Sequence, residues 1–285
     1  MTLISVSLLS AYEYCARKLF LEQVLKLVVP PRDVVVKGSI RHEIHDKISK
    51  VEEGFVKSIK KEMSYQELLE RYKKVHSSIL KQSIIKNKSK LAELKISLSN
   101  FFKETWPLVI NESKDRALNL HSFIKKHKVY GEELWDKLSP KIETEYYVES
   151  EELELKGVID RLDVYNNLVV REVVPYELKT GTPPQKGVWP SHKLQTGAYI
   201  MLLEKNKMFV REAFVKYLDI NECRPVVMNP FLEKKVLETK NAVLELFKSK
   251  DIPVFCTNKN KCGCCPLRDV CYNEKFIKEK LSLLS

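Results

Sequence analysis

At Pro140 the sequence changes period, and that change constrains the fold more than any other feature. From Ser7 to Lys137 apolar residues recur at three- and four-residue steps, the spacing of amphipathic helices. Leu8, Tyr12 and Leu19 mark a first helix that stops at Pro30-Pro31, and Ile40, Ile44, Ile48 and Val51 mark a second that opens at Gly38. Tyr65 to Leu80 and Leu91 to Phe102 continue the helical pattern. Beyond Pro140, Lys141 to Glu149, Leu153 to Val164 and Leu168 to Leu178 alternate and are separated by short polar breaks, so three adjacent strands are expected. A turn over Gly181 to Pro190 then leads to a helix at Ser191 to Glu204, a strand at Met208 to Leu218 and a helix at Pro230 to Lys248. Helices around a small mixed sheet, with a crossover helix, make an α/β core carrying a helical elaboration.

Two of the expected strands carry chemistry. Asp160 lies in the segment Gly157 to Asp163, and Glu177 and Lys179 lie in Tyr176 to Gly181. On neighbouring strands Asp160 and Glu177 converge, and with the Leu178 carbonyl they form an open site of hard oxygen ligands suited to Mg²⁺ or Mn²⁺. Asp163 is a rival to Asp160 for this role. Period-two geometry puts Lys179 on the face of Glu177. A cation that polarises a phosphate and acidifies water, beside an ammonium that orients the nucleophile, is what phosphodiester hydrolysis needs. Glu-x-Lys also occurs as weak surface cross-talk. Here, however, Val173-Val174-Pro175-Tyr176 precedes it, an apolar context in which charges need a reason. Gln195 and Tyr199 stand four apart and share a helix face.

The chain carries a formal charge of +11, which points to a polyanionic partner, with nucleic acid the leading choice. No apolar run approaches the length of a membrane span, so a soluble, cytoplasmic protein without membrane association is expected. Seven cysteines are too few for a disulfide-built domain. Cys262, Cys265 and Cys271 have the tight spacing of metal ligands, and the fourth ligand comes from Cys15, Cys223, Cys256 or Cys264. Cys264, adjacent to Cys265, reaches a shared centre only with strain. Four thiolates suit zinc and iron-sulfur clusters alike.

Gly157-Val-Ile-Asp160-Arg161, Glu177-x-Lys179-Thr-Gly181 and Gln195-x-x-x-Tyr199 together resemble the RecB-like branch of the PD-(D/E)XK nucleases. The resemblance implies a restriction-endonuclease-like core, a small mixed sheet flanked by helices. Gly38-x-x-x-His42 is similar to the first motif of that branch, which implies that His42, rather than His45 or Asp46, adds a metal ligand to Asp160, Glu177 and Leu178. It implies that Gln195 and Tyr199 support the catalytic Lys179 and the bound strand. Tyr12-x-x-Cys15-x-Arg17-Lys18-x-Phe20 resembles the amino-terminal ligand motif of RecB-like nucleases with an iron-sulfur cluster. Cys15, Cys262, Cys265 and Cys271 are then implied to hold a cluster, 4Fe-4S in preference to 2Fe-2S, that joins the two ends of the chain. Residues 1–285 form one nuclease domain on this reading, with a helical insertion at 54–137 and a cysteine-cluster segment at 255–285.

Four motifs and four cysteines in this order most resemble the Cas-four family of CRISPR-associated nucleases, over Ser5 to Asp46 and Tyr147 to Tyr272. That resemblance implies a Mg²⁺- or Mn²⁺-dependent exonuclease acting on single-stranded DNA ends and processing prespacers with the Cas-one and Cas-two integrase. The helical stretch between His42 and Asp160 is longer than compact members have. A repair or viral recombination nuclease outside CRISPR is therefore the alternative, and a DNA-binding module that does not cleave is a third reading. Arg17, Arg161 and Lys193 are expected to contact phosphates, and Trp189 to stack on a base or fill the core.

Overall fold

Period-two segments after Pro140 become strands and the three-to-four period before it becomes helices in the computed structural model, which describes residues 3–165, 171–249 and 251–283. In chain order the elements are β1 (Ile4–Ser5), α1 (Val6–Gln23), α2 (Asp33–Lys57), α3 (Tyr65–Lys86), α4 (Lys88–Glu93), α5 (Leu98–His127), α6 (Gly131–Lys137), β2 (Lys141–Ser150), β3 (Leu155–Tyr165) and β4 (Glu172–Lys179). They continue with α7 (Pro190–Lys205), β5 (Phe209–Val210), β6 (Phe214–Tyr217), β7 (Glu222–Pro225), α8 (Pro230–Ser249), α9 (Lys259–Gly263), α10 (Arg268–Tyr272) and α11 (Glu274–Ser282).

Three boundaries differ from the sequence reading. The helix expected at Leu91 to Phe102 is split, because Lys95 takes a left-handed φ of 56° between α4 and α5. The strand expected at Met208 to Leu218 is two short strands, β5 and β6, each paired with β4. The second helix begins at Asp33 rather than Gly38, and Val51 faces solvent while Ile40, Ile44 and Ile48 are buried. The first three residues of the strand expected at Leu168 to Leu178 lie outside the described residues.

The sheet is mixed. β2 pairs antiparallel with β3 along its length, β3 pairs antiparallel with β4, β4 pairs parallel with β6, and β6 pairs antiparallel with β7. Since β2 occupies one edge of β3, β1 and β4 must share the other. β1 meets it at Leu155–Lys156 and β4 at Arg161–Tyr165. Among the described residues, 157–160 are left between them on an edge without a ladder partner.

One apolar core joins the sheet (Leu155, Ile159, Val173, Val215) to α1 (Leu9, Phe20), α7 (Leu194, Leu202) and α8 (Val236, Val243). The helical layer before Pro140 has its own apolar clusters. Ile40, Ile44 and Ile48 pack with Leu80 and Phe101, while Phe55 and Val56 pack with Leu68, Tyr72 and Ile124. A capping box starts α3, with Ser64 Oγ accepting from the Glu67 amide and the Glu67 carboxylate accepting from the Ser64 amide.

Helical layer and sheet meet through a buried charge network. Arg116 on α5 donates to Glu112 (2.7 Å), Glu52 (2.9 Å) and Ser49 (2.7 Å), and Arg161 on β3 donates to Asp163 (2.7 and 3.1 Å) and Glu112 (3.4 Å). Burial disfavours the charged Glu112 carboxylate, yet His45, Arg116 and Arg161 around it hold its pKa well below the ordinary value. Removing one partner of such a network is costly, because the others stay charged and out of water. Among the described residues, no helix is long and apolar enough to cross a membrane.

Candidate active site

The open edge of β3 is where the polar side chains gather. The last ladder pair, Arg161 with Tyr176, brings Asp160 beside Glu177 just as β3 and β4 part. Asp160 closes the gap with its own side chain, whose Oδ2 accepts the Leu178 amide at 2.7 Å. Its other oxygen lies 3.3 Å from His42 Nδ1 on α2. Helix α2 passes close at this point, where a Cβ on Gly38 would stand 3.3 Å from Thr180 Oγ1.

Glu177 is only 3% exposed, and its Oε2 has no hydrogen-bond partner. Burial, followed by the Asp160 charge, raises its pKa from 4.5 to about 7, against the pull of Lys179. Lys179 Nζ is 2.6 Å from Glu177 Oε1 and donates to Gln195 Oε1 at 3.2 Å. Gln195 in turn donates to the Tyr199 hydroxyl (3.2 Å), which donates to the Val158 carbonyl (2.7 Å) on the open edge. Gly157 permits this. A Cβ there would lie 2.6 Å from Tyr199 Cε1. Burial lowers the proton affinity of the Lys179 ammonium, but Glu177 outweighs it and the pKa ends above the ordinary value. The same balance holds for His42, where burial is outweighed by the Asp160 hydrogen bond and charge.

These positions separate the rivals. His45 is buried with Nε2 3.4 Å from Glu112, and Asp46 is held by Lys50 and Thr144, so neither is the neighbour of Asp160. The Asp163 carboxylate is held by Arg161 from two nitrogens. Arg161 itself is 8% exposed and committed to Asp163 and Glu112, which takes it away from the phosphate contact expected of it. The expectation for Arg17 fails likewise. At 4% exposed it donates to the carbonyls of Pro253 and Cys271 and stacks on Phe255, tying α1 to the carboxyl-terminal segment. Lys193 is exposed on α7, and Trp189 is partly exposed with its indole donating to the Thr182 carbonyl.

One neighbour has no sequence motif. Glu145 on β2 lies opposite Asp160, bracketed by the pairs Thr144–Arg161 and Tyr146–Ile159. Single ligand atoms of His42, Glu145 and Asp160 fall within 4.8 Å of one another. Glu145 holds a left-handed φ of 50°. Across from it the inward face of β3 shifts by one residue, from Leu155 and Ile159 to Leu162 and Val164. The only signal in the sequence is register, since Glu145 and Asp160 are equidistant from the β2–β3 turn.

Hard carboxylate oxygens, an imidazole and an unsatisfied buried oxygen fit a divalent cation. A cleft of about 360 Å³ opens beside Lys179 and Gln195 and runs past Ser7, Ser10, Tyr14, Lys18 and His192. Beyond Tyr14 and Lys18, Cys15, Cys256, Cys262, Cys265 and Cys271 line one smaller cavity. Cys15 interrupts α1 with an extended conformation. The lining thiols come one from α1 and four from the carboxyl-terminal segment, with Cys256 beyond the four expected, and among the described residues no three of them bring their sulfur atoms within 4.8 Å of one another. Cys223 and Cys264 are exposed and do not line this cavity.

The sequence profile of the family described as the PD-(D/E)XK nuclease superfamily matches residues 3–272. Among solved structures, one titled "Crystal structure of SSO0001" is similar at 16% identity over 61% of this chain and 79% of that one, with a TM-score of 0.31. At that score the likeness carries no argument. None of the curated proteins compared matches the chain.

Proposed function

Because the chain belongs to the PD-(D/E)XK nuclease superfamily, whose members are metal-dependent nucleases, we propose that it is a Mg²⁺- or Mn²⁺-dependent deoxyribonuclease that digests single-stranded DNA from its ends. The observation that carries this reading is the meeting of Asp160, Glu177 and Lys179 where β3 and β4 part, with Glu177 Oε2 buried and unpartnered. Asp160, Glu177 and the Leu178 carbonyl are the residues that would hold the cation, with His42 at the other oxygen of the Asp160 carboxylate. When bound, it supplies charge to polarise the scissile phosphate and acidify water.

The protein's own part is positioning. Lys179, fixed between Glu177 and Gln195, presents an ammonium at the mouth of the cleft, where it orients the attacking water and offsets developing charge. Gln195 and Tyr199 lock that lysine to the backbone at Val158. The cleft past Tyr14 and Lys18 gives a single strand a path with one aromatic ring along it and Lys18, paired with Glu22, on its wall. Residues 1–285 act as one nuclease unit, with the 54–137 helices as its elaboration.

The finer reading is a Cas-four type exonuclease in CRISPR adaptation, acting in the cytoplasm with the Cas-one and Cas-two integrase. Its support is the motif order and the cavity of five thiols, which we assign to a 4Fe-4S cluster held by Cys15, Cys262, Cys265 and Cys271. Anaerobic purification should yield about four iron and four sulfide per chain, a stoichiometry zinc would not give. The test of the nuclease reading is digestion of 5′- and 3′-labelled single strands with Mn²⁺. Asp160→Asn and Lys179→Met should each slow it by at least about a hundredfold, and variants that digest at the wild-type rate would overturn it.

A further inference from the structure

We propose that Glu145 is a metal ligand, forming with His42 and Asp160 a second divalent-cation position on the β2 side of the Asp160 carboxylate. The proposal rests on the metal-dependent reading above and adds a residue that no motif assigns. One ligand atom each from α2, β2 and β3 comes within 4.8 Å of the others, and this set does not include Glu177. An imidazole nitrogen with two carboxylate oxygens suits Mn²⁺.

The Glu145 carboxylate makes no hydrogen bond or ion pair among the described residues, and Lys50, whose charge reaches it, is held by Asp46 at 2.6 Å. A separate observation lies on the other side of Asp160, where Glu177 Oε2 is buried without a partner. Asp160 therefore stands between two acceptor sets, His42 with Glu145 and Glu177 with the Leu178 carbonyl. Three carboxylates this close repel one another until cations lie among them. A cation on each side of Asp160 relieves both pairs, and the exposed Glu145 makes the second position the more open to solvent.

The test is a Mn²⁺ titration of the metal-stripped chain, reading free ion by electron paramagnetic resonance. Wild type should bind two equivalents at the acidic cluster. Glu145→Gln should bind one, with the affinity of the remaining ion changed by less than about threefold, and Asp160→Asn should bind none. Thermal melting of Glu145→Gln, an exposed and isosteric change, checks that the fold is kept. Two equivalents in Glu145→Gln, or only one in wild type, would overturn the second position while leaving the nuclease reading intact. Wild-type binding by Asp160→Asn would instead remove the metal-dependent reading and this proposal with it.

Discussion

Replacing Glu177 with Gln should stabilise the metal-free protein at alkaline pH. The fold raises the Glu177 pKa from 4.5 to about 7. The native state therefore binds this proton more tightly than the unfolded chain. The stability it contributes is fully present below pH 4.5 and is lost as pH rises through about 7. At 1.36 kcal/mol per pKa unit, the ionised carboxylate costs the native state roughly 3 kcal/mol above pH 7 and about 1 kcal/mol at pH 5. Gln resembles the protonated acid, and the net shift already includes the pull of Lys179, so the variant reports the whole difference. In EDTA its melting temperature should exceed that of wild type by roughly 6 to 12 °C at pH 8, and the gain should shrink to a few degrees at pH 5. Adding Mn²⁺ should reverse the order, because wild type gains a bound ion that the variant lacks. A gain of equal size at pH 5 and pH 8, or a variant less stable than wild type at pH 8 in EDTA, would refute the placement of a buried carboxylate with one unpartnered oxygen at this position.

Two further outcomes follow from packing. Gly157→Ala puts a Cβ 2.6 Å from Tyr199 Cε1, so the ring must leave the open edge of β3. Chemical denaturation should show a loss of about 1 to 3 kcal/mol, and digestion should slow because Gln195 loses its anchor. Arg116→Met leaves Glu52 and Glu112 charged in the interior, and the same measurement should show a loss of about 3 to 5 kcal/mol, with Mn²⁺ binding by the surviving folded fraction unchanged.

Residues tied to their neighbours by a short repeat were legible in the sequence. Glu177 and Lys179 sit two apart on a strand, and Gln195 and Tyr199 sit four apart on a helix. Local backbone geometry alone puts each pair together. The structure joins the two pairs through a single hydrogen bond from Lys179 to Gln195. Relations set by tertiary register were not legible. Arg161 looks like a free cation in a Gly-x-x-Asp-Arg segment, yet its partner Glu112 lies on α5, in the helical layer that meets the sheet. Arg17 looks equally available until the carboxyl-terminal segment folds over it. The same limit hid Glu145, whose link to Asp160 exists only once β2 and β3 have paired.

The acidic cluster sits where it does because the open edge of β3 leaves backbone groups that side chains must satisfy. Tyr199 takes the Val158 carbonyl and Asp160 takes the Leu178 amide, so a residue assigned to chemistry also replaces a missing rung of the sheet. Leu178 is 1% exposed, and its amide, left without Asp160, would be buried and unpaired at a cost of about 1 to 3 kcal/mol. An Asp160→Ala protein thus loses a metal ligand and a structural acceptor together, and a fall in its activity is ambiguous. Asp160→Asn keeps an oxygen for that amide while removing the charge. It should melt close to wild type in EDTA yet fail to gain stability from Mn²⁺. Were Asp160→Ala instead as stable as Asp160→Asn in EDTA, the 2.7 Å contact to Leu178 would not be part of what holds β3 and β4 together at their parting.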